Sequence, residues 1–189
     1  MIRTNENLLE YISWLEKHSS YSIGGKIFKP KQLILEQNHR YNTVFIIRKG
    51  IVKCYLSDEN GKEFIQEFLG QGMEFGELEV FNQKPTICSV SAVVELQVFT
   101  MSHSVFKNLL EKDAKFNKIV MSSLADKIRY KAPRHSYQQS YPIEDNFLRL
   151  KQVFPEITEV LSKQDISNYM GITTRSLNRV LQQLEGNLD

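Results

Sequence analysis

The chain has 189 residues, of which 41% are hydrophobic and 24% charged, and its formal net charge is +2. This composition excludes a disordered or collagen-like protein and predicts one or two globular domains. No run approaches the roughly 18 apolar residues of a membrane span, and two cysteines are too few for a disulfide framework. We therefore expect a cytoplasmic protein without membrane contact. The small net charge leaves any argument for nucleic-acid binding to local patterns.

The N-terminal half has the pattern of an antiparallel sandwich or barrel. Residues 24–101 contain short runs rich in β-branched and aromatic residues, separated by turns with glycine. The clearest turn is at residues 58–61 (DENG), because Asn-Gly accepts the backbone angles of tight hairpins. Apolar residues at helical spacing predict short helices over residues 6–17 and 104–111.

Residues 113–138 predict a longer helix with one apolar stripe, formed by Phe116, Ile119, Val120, Leu124 and Ile128. The stripe can pair with a second copy, which would make a homodimer through residues 113–132, or it can pack on the chain's own sheet. The basic residues, Lys127 among them, are expected on other faces. Pro133 should kink or end the helix, because proline lacks the N–H group that a helix interior needs.

The C-terminal part contains helical patterns, and residues 161–181 have the spacing of a helix-turn-helix. Ser162 and Thr173 are expected to cap two helices, with Gly171 in the turn between them. The exposed face of the second helix carries hydroxyl, guanidinium and amide groups that can read base edges, namely those of Thr174, Arg175, Asn178 and Arg179. Thr173 and Ser176 lie near the helix start, where hydroxyl and free N–H groups can hold phosphate. The alternative is an ordinary helical hairpin whose arginines are solvated.

Together these motifs resemble the Crp/Fnr superfamily of bacterial transcription regulators, from about residue 25 to residue 186. The helix-turn-helix carries the resemblance, with residues 45–52 (FIIRKGIV), Asn60-Gly61 and residues 70–78 (GQGMEFGEL). Within the superfamily, residues 75–81 and 142–146 look most like the YeiL type.

The resemblance implies an α+β fold in three parts. These are a jelly-roll-like antiparallel β-roll of the cyclic-nucleotide-binding type (residues 1–112), a dimerisation helix (113–140) and a helix-turn-helix DNA-binding domain (141–189). It assigns base contacts to Thr174, Arg175 and Arg179. The implied partners are double-stranded DNA with a pseudo-palindromic operator, a second copy of the chain, and RNA polymerase.

The sensor half departs from its family. In the cyclic-nucleotide binders that it resembles, a glutamate at the position of Glu77 holds the ribose and a later arginine pairs with the cyclic phosphate. Residues 83–89 (QKPTICS) contain no arginine, so a strong bidentate contact is missing. We therefore expect a degenerate pocket that does not take cAMP or cGMP, with Gly76 and Glu77 kept for the turn and a backbone hydrogen bond. The candidate effector residues are Gly76, Glu77, Thr86 and Ile87, and the effector, if one exists, stays open.

The sequence contains no motif for an iron–sulfur cluster, a metal site or an enzyme. Fnr-like proteins hold an iron–sulfur cluster on four thiolates, whereas this chain has two cysteines. Cys54 and Cys88 are explained as small buried residues, with a redox role as the open alternative. The four histidines are scattered and are expected to be surface or cap residues, so no metal or cofactor is predicted. No hydrolase, P-loop or zinc-protease motif occurs, and we predict no enzyme activity.

The chain stops a few residues after Leu184, where family members continue into a two-stranded wing. We expect the wing to be incomplete, which would remove phosphate contacts. This leaves a second interpretation, a ligand-binding or protein-interaction β-roll with a vestigial DNA-binding domain.

Overall fold

The computed structural model describes residues 2–186, and only the backbone of residues 133–139 and 185–186. Its strands are β1 (Ile2–Arg3), β2 (Gly24–Phe28), β3 (Leu33–Leu35), β4 (Thr43–Lys49), β5 (Val52–Ser57), β6 (Glu63–Leu69), β7 (Glu74–Phe75), β8 (Ser89–Ala92) and β9 (Leu96–Ser102). Its helices are α1 (Glu6–His18), α2 (Leu78–Asn82), α3 (His103–Lys112), α4 (Ala114–Ser140), α5 (Ile143–Val153), α6 (Ile157–Val160), α7 (Lys163–Met170) and α8 (Thr174–Gly186).

The strands form two facing sheets, in the orders β1-β6-β5-β8-β3 and β2-β9-β4-β7. Pairing is antiparallel except between β1 and β6. Apolar side chains from both sheets fill the space between them, Phe28, Ile47, Leu69 and Val90 among them. The predicted antiparallel β-roll and α+β class are confirmed.

The predicted hairpin joins β5 to β6. The Gly61 N–H donates to the Asp58 carbonyl at 3.0 Å, and Asp58 Oδ1 accepts from the N–H groups of Asn60 and Lys62, each at 2.9 Å. The positive φ of this turn (75°) belongs to Gly61 and not to Asn60. The turn therefore needs one left-handed residue, and glycine supplies it without steric cost.

Helix α4 has two opposite faces, which corrects the single stripe predicted from the sequence. Phe116 and Val120 are fully buried against α1, α3 and the sheet, and the face continues through Ser123 and Lys127. Lys127, expected on a solvated face, is 8% exposed, whereas Ile128 is 71% exposed. Spacing alone could not separate the two faces, because the stripe's apolar residues span both.

Helix α4 also continues through Pro133 to Ser140, so of the two effects predicted for this proline, the end of the helix is wrong and the kink stays a prediction. A proline removes one backbone hydrogen bond, and the rest of a 27-residue helix remains bonded on both sides.

The C-terminal helices pack on the β-roll. Tyr169 of α7 lies over Phe68 of β6 with ring centroids 5.4 Å apart, and its hydroxyl is 2.8 Å from that of Tyr130 on α4. Lys53 of β5 contacts both Glu63 (2.6 Å) and Asp165 of α7 (2.9 Å). One apolar cluster thus joins the roll to the helical segment. The division at residues 112 and 140 stays a prediction, and the expected incomplete wing concerns residues beyond Gly186, outside the described part.

Candidate sensor pocket and nucleic-acid interface

The four candidate effector residues line one cavity between the sheets and α4. Gly76 and Glu77 connect β7 to α2, while Thr86 and Ile87 precede β8. Gly76 has φ 79°, and a Cβ atom there would stand 2.7 Å from the Thr43 carbonyl oxygen. This close approach restricts the position to glycine and aims the Glu77 carboxylate into the roll.

A lysine from the long helix occupies this cavity. Lys127 Nζ contacts Glu77 Oε1 at 2.6 Å, Glu74 Oε1 at 2.9 Å and the Glu74 carbonyl oxygen at 2.8 Å. Ser123, one turn earlier on α4, donates to the Glu74 carboxylate. Glu74 and Glu77 are 0% and 3% exposed, so this is a buried ion cluster.

The charges of this cluster hold each other in place. Burial alone would lower the pKa of Lys127, but Glu74 and Glu77 raise it above its ordinary value. Burial raises the pKa of Glu77, and the neighbouring Lys127 charge opposes this rise. Lys127 is therefore a permanent cation at the place where Glu77 would otherwise be free for a ligand.

A second ion cluster lies beside the first. Glu67 of β6 accepts from Lys131 of α4 at 2.7 Å and from Arg3 at 3.2 Å. Three buried carboxylates thus face three cations within the part of the chain described. An incoming anion would find the two pocket lysines already paired with carboxylates.

The pocket is small, and of the two remaining candidate residues Thr86 has a structural role and Ile87 lies at the rim. The cavity has a volume of about 60 Å³. The Thr86 hydroxyl donates to the carbonyls of Glu36 and His39 and so holds the loop between β3 and β4. Ile87 is 65% exposed at the rim.

The helix-turn-helix is built as predicted. The Ser162 hydroxyl accepts from the Asp165 N–H at 3.0 Å and caps α7, and Gly171 ends that helix with φ 70°. The Thr173 hydroxyl accepts from the Ser176 N–H at 3.1 Å and lies 2.9 Å from the Ser176 hydroxyl. Ile166, Leu177 and Val180 are buried between the helices. The hydroxyls proposed for phosphate therefore also cap α8.

The residues predicted to read bases differ in exposure. Arg175 and Arg179 are exposed on α8. The Thr174 hydroxyl, in contrast, donates to Gln164 Oε1 at 3.0 Å and lies 3.2 Å from Ser167, which ties α8 to α7. Asn178 is half-buried, and its Oδ1 is buried without a hydrogen-bond partner among the described residues. The guanidinium groups of Arg175 and Arg179 are thus the most exposed of the groups predicted to read bases.

Sequence reasoning missed Glu74, Lys127 and Lys131 as pocket residues. The signal was present for Lys127, because Phe116, Val120, Ser123 and Lys127 recur at helical spacing on one face. No group of three or more histidine, cysteine or carboxylate side chains in the described residues is arranged to hold a metal ion.

Comparison with known proteins agrees with this architecture. The family model "Cyclic nucleotide-binding domain" matches residues 26–113. The cAMP-activated global transcriptional regulator Vfr of Pseudomonas aeruginosa is 27% identical over 173 residues, covering 84% of this chain and 80% of Vfr. The corresponding regulator CRP of Salmonella typhimurium is 23% identical over 169 residues, covering 84% of this chain and 80% of CRP. Over most of its length the chain is similar to regulators of the Crp/Fnr type, and its N-terminal part matches the cyclic nucleotide-binding domain.

Several solved structures have the same fold. FixK2 from Bradyrhizobium japonicum superposes with a TM-score of 0.73 at 17% identity, covering 88% of this chain and 86% of FixK2. The c-di-GMP-responsive regulator CLP of Xanthomonas campestris gives 0.76 at 13% identity, covering 96% of this chain and 90% of CLP. Vfr and CRP are transcriptional regulators by name, in agreement with the prediction of no enzyme activity. None of the described helices combines the length and apolar character that a membrane crossing requires.

Proposed function

We propose that this Crp/Fnr regulator binds double-stranded DNA as a homodimer and reads base edges with α8, and that its pocket does not take a cyclic nucleotide. The observation that carries the DNA proposal is the exposure of Arg175 and Arg179 on a helix whose opposite side is packed. Guanidinium groups in this position can bind a guanine edge bidentately in the major groove. Thr174 would position α8, and the N-terminal hydroxyls of Thr173 and Ser176 would approach phosphate.

The outward face of α4 supports the dimer. Met121 and Ile128 are 53% and 71% exposed, and Ala125 and Ala132 lie exposed on the same side of the helix. Apolar residues seven positions apart are the pattern by which two parallel helices pack. Paired along this face, two subunits would present two α8 helices to a pseudo-palindromic site with half-sites about 34 Å apart. The proposal that RNA polymerase is a further partner rests on the family resemblance.

The pocket argues against cAMP and cGMP as effectors. Sites for small molecules measure about 300–1,000 Å³, against a cavity of about 60 Å³ here. Entry of a nucleotide would also have to displace Lys127 from Glu77, which would leave a buried carboxylate without its partner. The cost of such a separation is on the order of 3–5 kcal/mol. Lys127 thus takes the place of a ligand, and no cofactor is proposed.

The test of DNA reading is selection of bound duplexes from a random pool at a stated salt concentration. Three proteins are compared: the parent chain, Arg179→Ala, and Lys84→Ala as a control that removes an exposed charge from the β-roll. We expect the parent and the control to enrich one inverted repeat and Arg179→Ala to lose it, a change of about 1–3 kcal/mol in discrimination.

Other outcomes would change the proposal in defined ways. Equal weakening by Arg179→Ala on every duplex would make this arginine a phosphate contact. Enrichment of a single half-site would contradict the dimer. No enrichment by any of the three would favour the ligand-binding or protein-interaction β-roll with a vestigial DNA-binding domain.

A further inference from the structure

Both cysteines of the chain line the cavity beside the lysine cluster. Cys54 lies on β5, opposite Val90 of β8, and Cys88 stands two positions before Val90. Cys88 lies in the bend directly before β8, and extending the register of the two strands by one residue places it diagonally across from Cys54. Both pack in the apolar cluster between the sheets.

The two thiols have unequal surroundings. Cys54 is buried, whereas Cys88 is partly exposed. The interaction with the neighbouring Cys54 sulfur and the positive charge of Lys131 lower the pKa of Cys88, although its burial and the carboxylates of Glu67 and Glu79 oppose this. The interaction with Cys88, together with burial, raises the pKa of Cys54. A thiolate therefore forms first at Cys88, the more accessible of the two sulfurs.

The cavity also limits what can reach this pair. Its volume of about 60 Å³ corresponds to roughly two molecules of water at about 30 Å³ each. A nucleotide does not fit in this space, but a molecule as small as hydrogen peroxide does.

We propose that Cys54 and Cys88 form a dithiol site that reacts with a small hydroperoxide and closes to an intramolecular disulfide. The Cys88 thiolate attacks the peroxide, the O–O bond breaks, and Cys88 becomes a sulfenic acid while the peroxide is reduced to water or an alcohol. The Cys54 sulfur then displaces the sulfenic hydroxyl, which leaves as water with the Cys54 proton. Overall, two thiols lose two hydrogen atoms and one peroxide is reduced.

Closing the bond requires a local shift. Diagonal neighbours in antiparallel strands have Cα atoms about 7–8 Å apart, whereas disulfides span about 4.4–6.8 Å. The segment of Cys88 therefore has to move by about 1 Å toward β5. A strained disulfide is reduced readily, which suits a reversible site. Oxidation also removes the negative charge of Cys88 near Lys131. Because Lys131 lies on α4 and contacts Glu67 at 2.7 Å, α4 is the helix next to the reacting sulfurs.

The test is treatment of the folded full chain with hydrogen peroxide, followed by intact mass, free-thiol counting and a non-reducing peptide map. We expect the two thiols to disappear together, the mass to fall by two hydrogen atoms, and one linkage between Cys54 and Cys88 in a monomeric chain. Dithiothreitol should restore both thiols. Lys131→Gln should slow the thiol loss severalfold, and Lys118→Gln, an exposed lysine earlier on α4, should not.

Two variants separate the roles of the sulfurs. In Cys54→Ala the oxidation should stop at a sulfenic acid on Cys88, which dimedone traps. In Cys88→Ala, Cys54 should stay reduced. Circular dichroism checks that each variant is folded. The proposal is overturned if the parent accumulates sulfenic acid without linkage, if the linkage forms between chains, or if both thiols stay reduced in the folded chain. Because the assay follows thiols and not DNA, its failure is distinct from failure of the proposed function.

Discussion

Lys127 is the residue on which the pocket depends. Its ammonium group balances Glu74 and Glu77, which are almost fully buried. Replacing it by methionine leaves both carboxylates without their cation, so we expect Lys127→Met to lower the free energy of unfolding by about 3–5 kcal/mol. Urea denaturation measures the change. Lys118→Met, on the same helix but exposed, is the control and should change stability by about 0.5 kcal/mol or less; equal losses in the two variants would contradict the role of the cluster.

The position of Lys127 marks the limit of sequence reasoning at single residues. Gly76 and Glu77 could be predicted as pocket residues because a local motif contains them. Lys127 is 50 residues from Glu77 in the chain, and lysine is among the residues least often buried. Only the packing of α4 on the roll brings the two residues together. From residue type alone, Lys127 was expected on another face of the helix, whereas the tertiary structure pairs it with two carboxylates.

Among the elements, α4 has two faces, one in the chain's own core and one that carries the proposed dimer contact. Phe116 and Val120 belong to the chain's own core, whereas Met121 and Ile128 are exposed. We expect the double variant Met121→Glu/Ile128→Glu to dissociate the dimer, because paired helices would bring like charges into an apolar seam. Sedimentation at several protein concentrations measures this. Val153→Glu, which replaces an exposed apolar residue of α5, is the control; a dimer that persists in the double variant would place the interface elsewhere.

The elements that could be predicted are those fixed by local chemistry. The β5–β6 hairpin follows from one Asn-Gly turn, and α7 and α8 follow from Ser162, Gly171 and Thr173. The short strands β1 and β7 and helices α2 and α6 were not predicted, because they are two to five residues long and too short for a periodic pattern. The helix predicted over residues 113–138 continues through Pro133, because the surrounding helix outweighs one lost hydrogen bond.

At the scale of the whole molecule, Lys53 connects the β-roll to the helix-turn-helix through Glu63 and Asp165. The Lys53 and Asp165 side chains are each 17% exposed, so the pair is partly shielded from solvent. We expect a double-mutant cycle of Lys53→Met and Asp165→Asn to give a coupling free energy of about 1 kcal/mol in unfolding. The Lys107–Glu111 pair, with 64% and 60% exposed side chains, is the matched control and should give about 0.5 kcal/mol or less. A coupling at Lys53 no larger than the control would mean that this contact does not hold the two parts together.

With Lys127 in its pocket, the protein is expected to bind its operator without a cyclic nucleotide. The most direct measurement is the Kd for the selected duplex at one salt concentration, without nucleotide and with saturating cAMP or cGMP. We expect the same Kd in all three conditions. A tightening of tenfold or more by either nucleotide, about 1.4 kcal/mol, would contradict it and would mean that the nucleotide displaces Lys127 from Glu77.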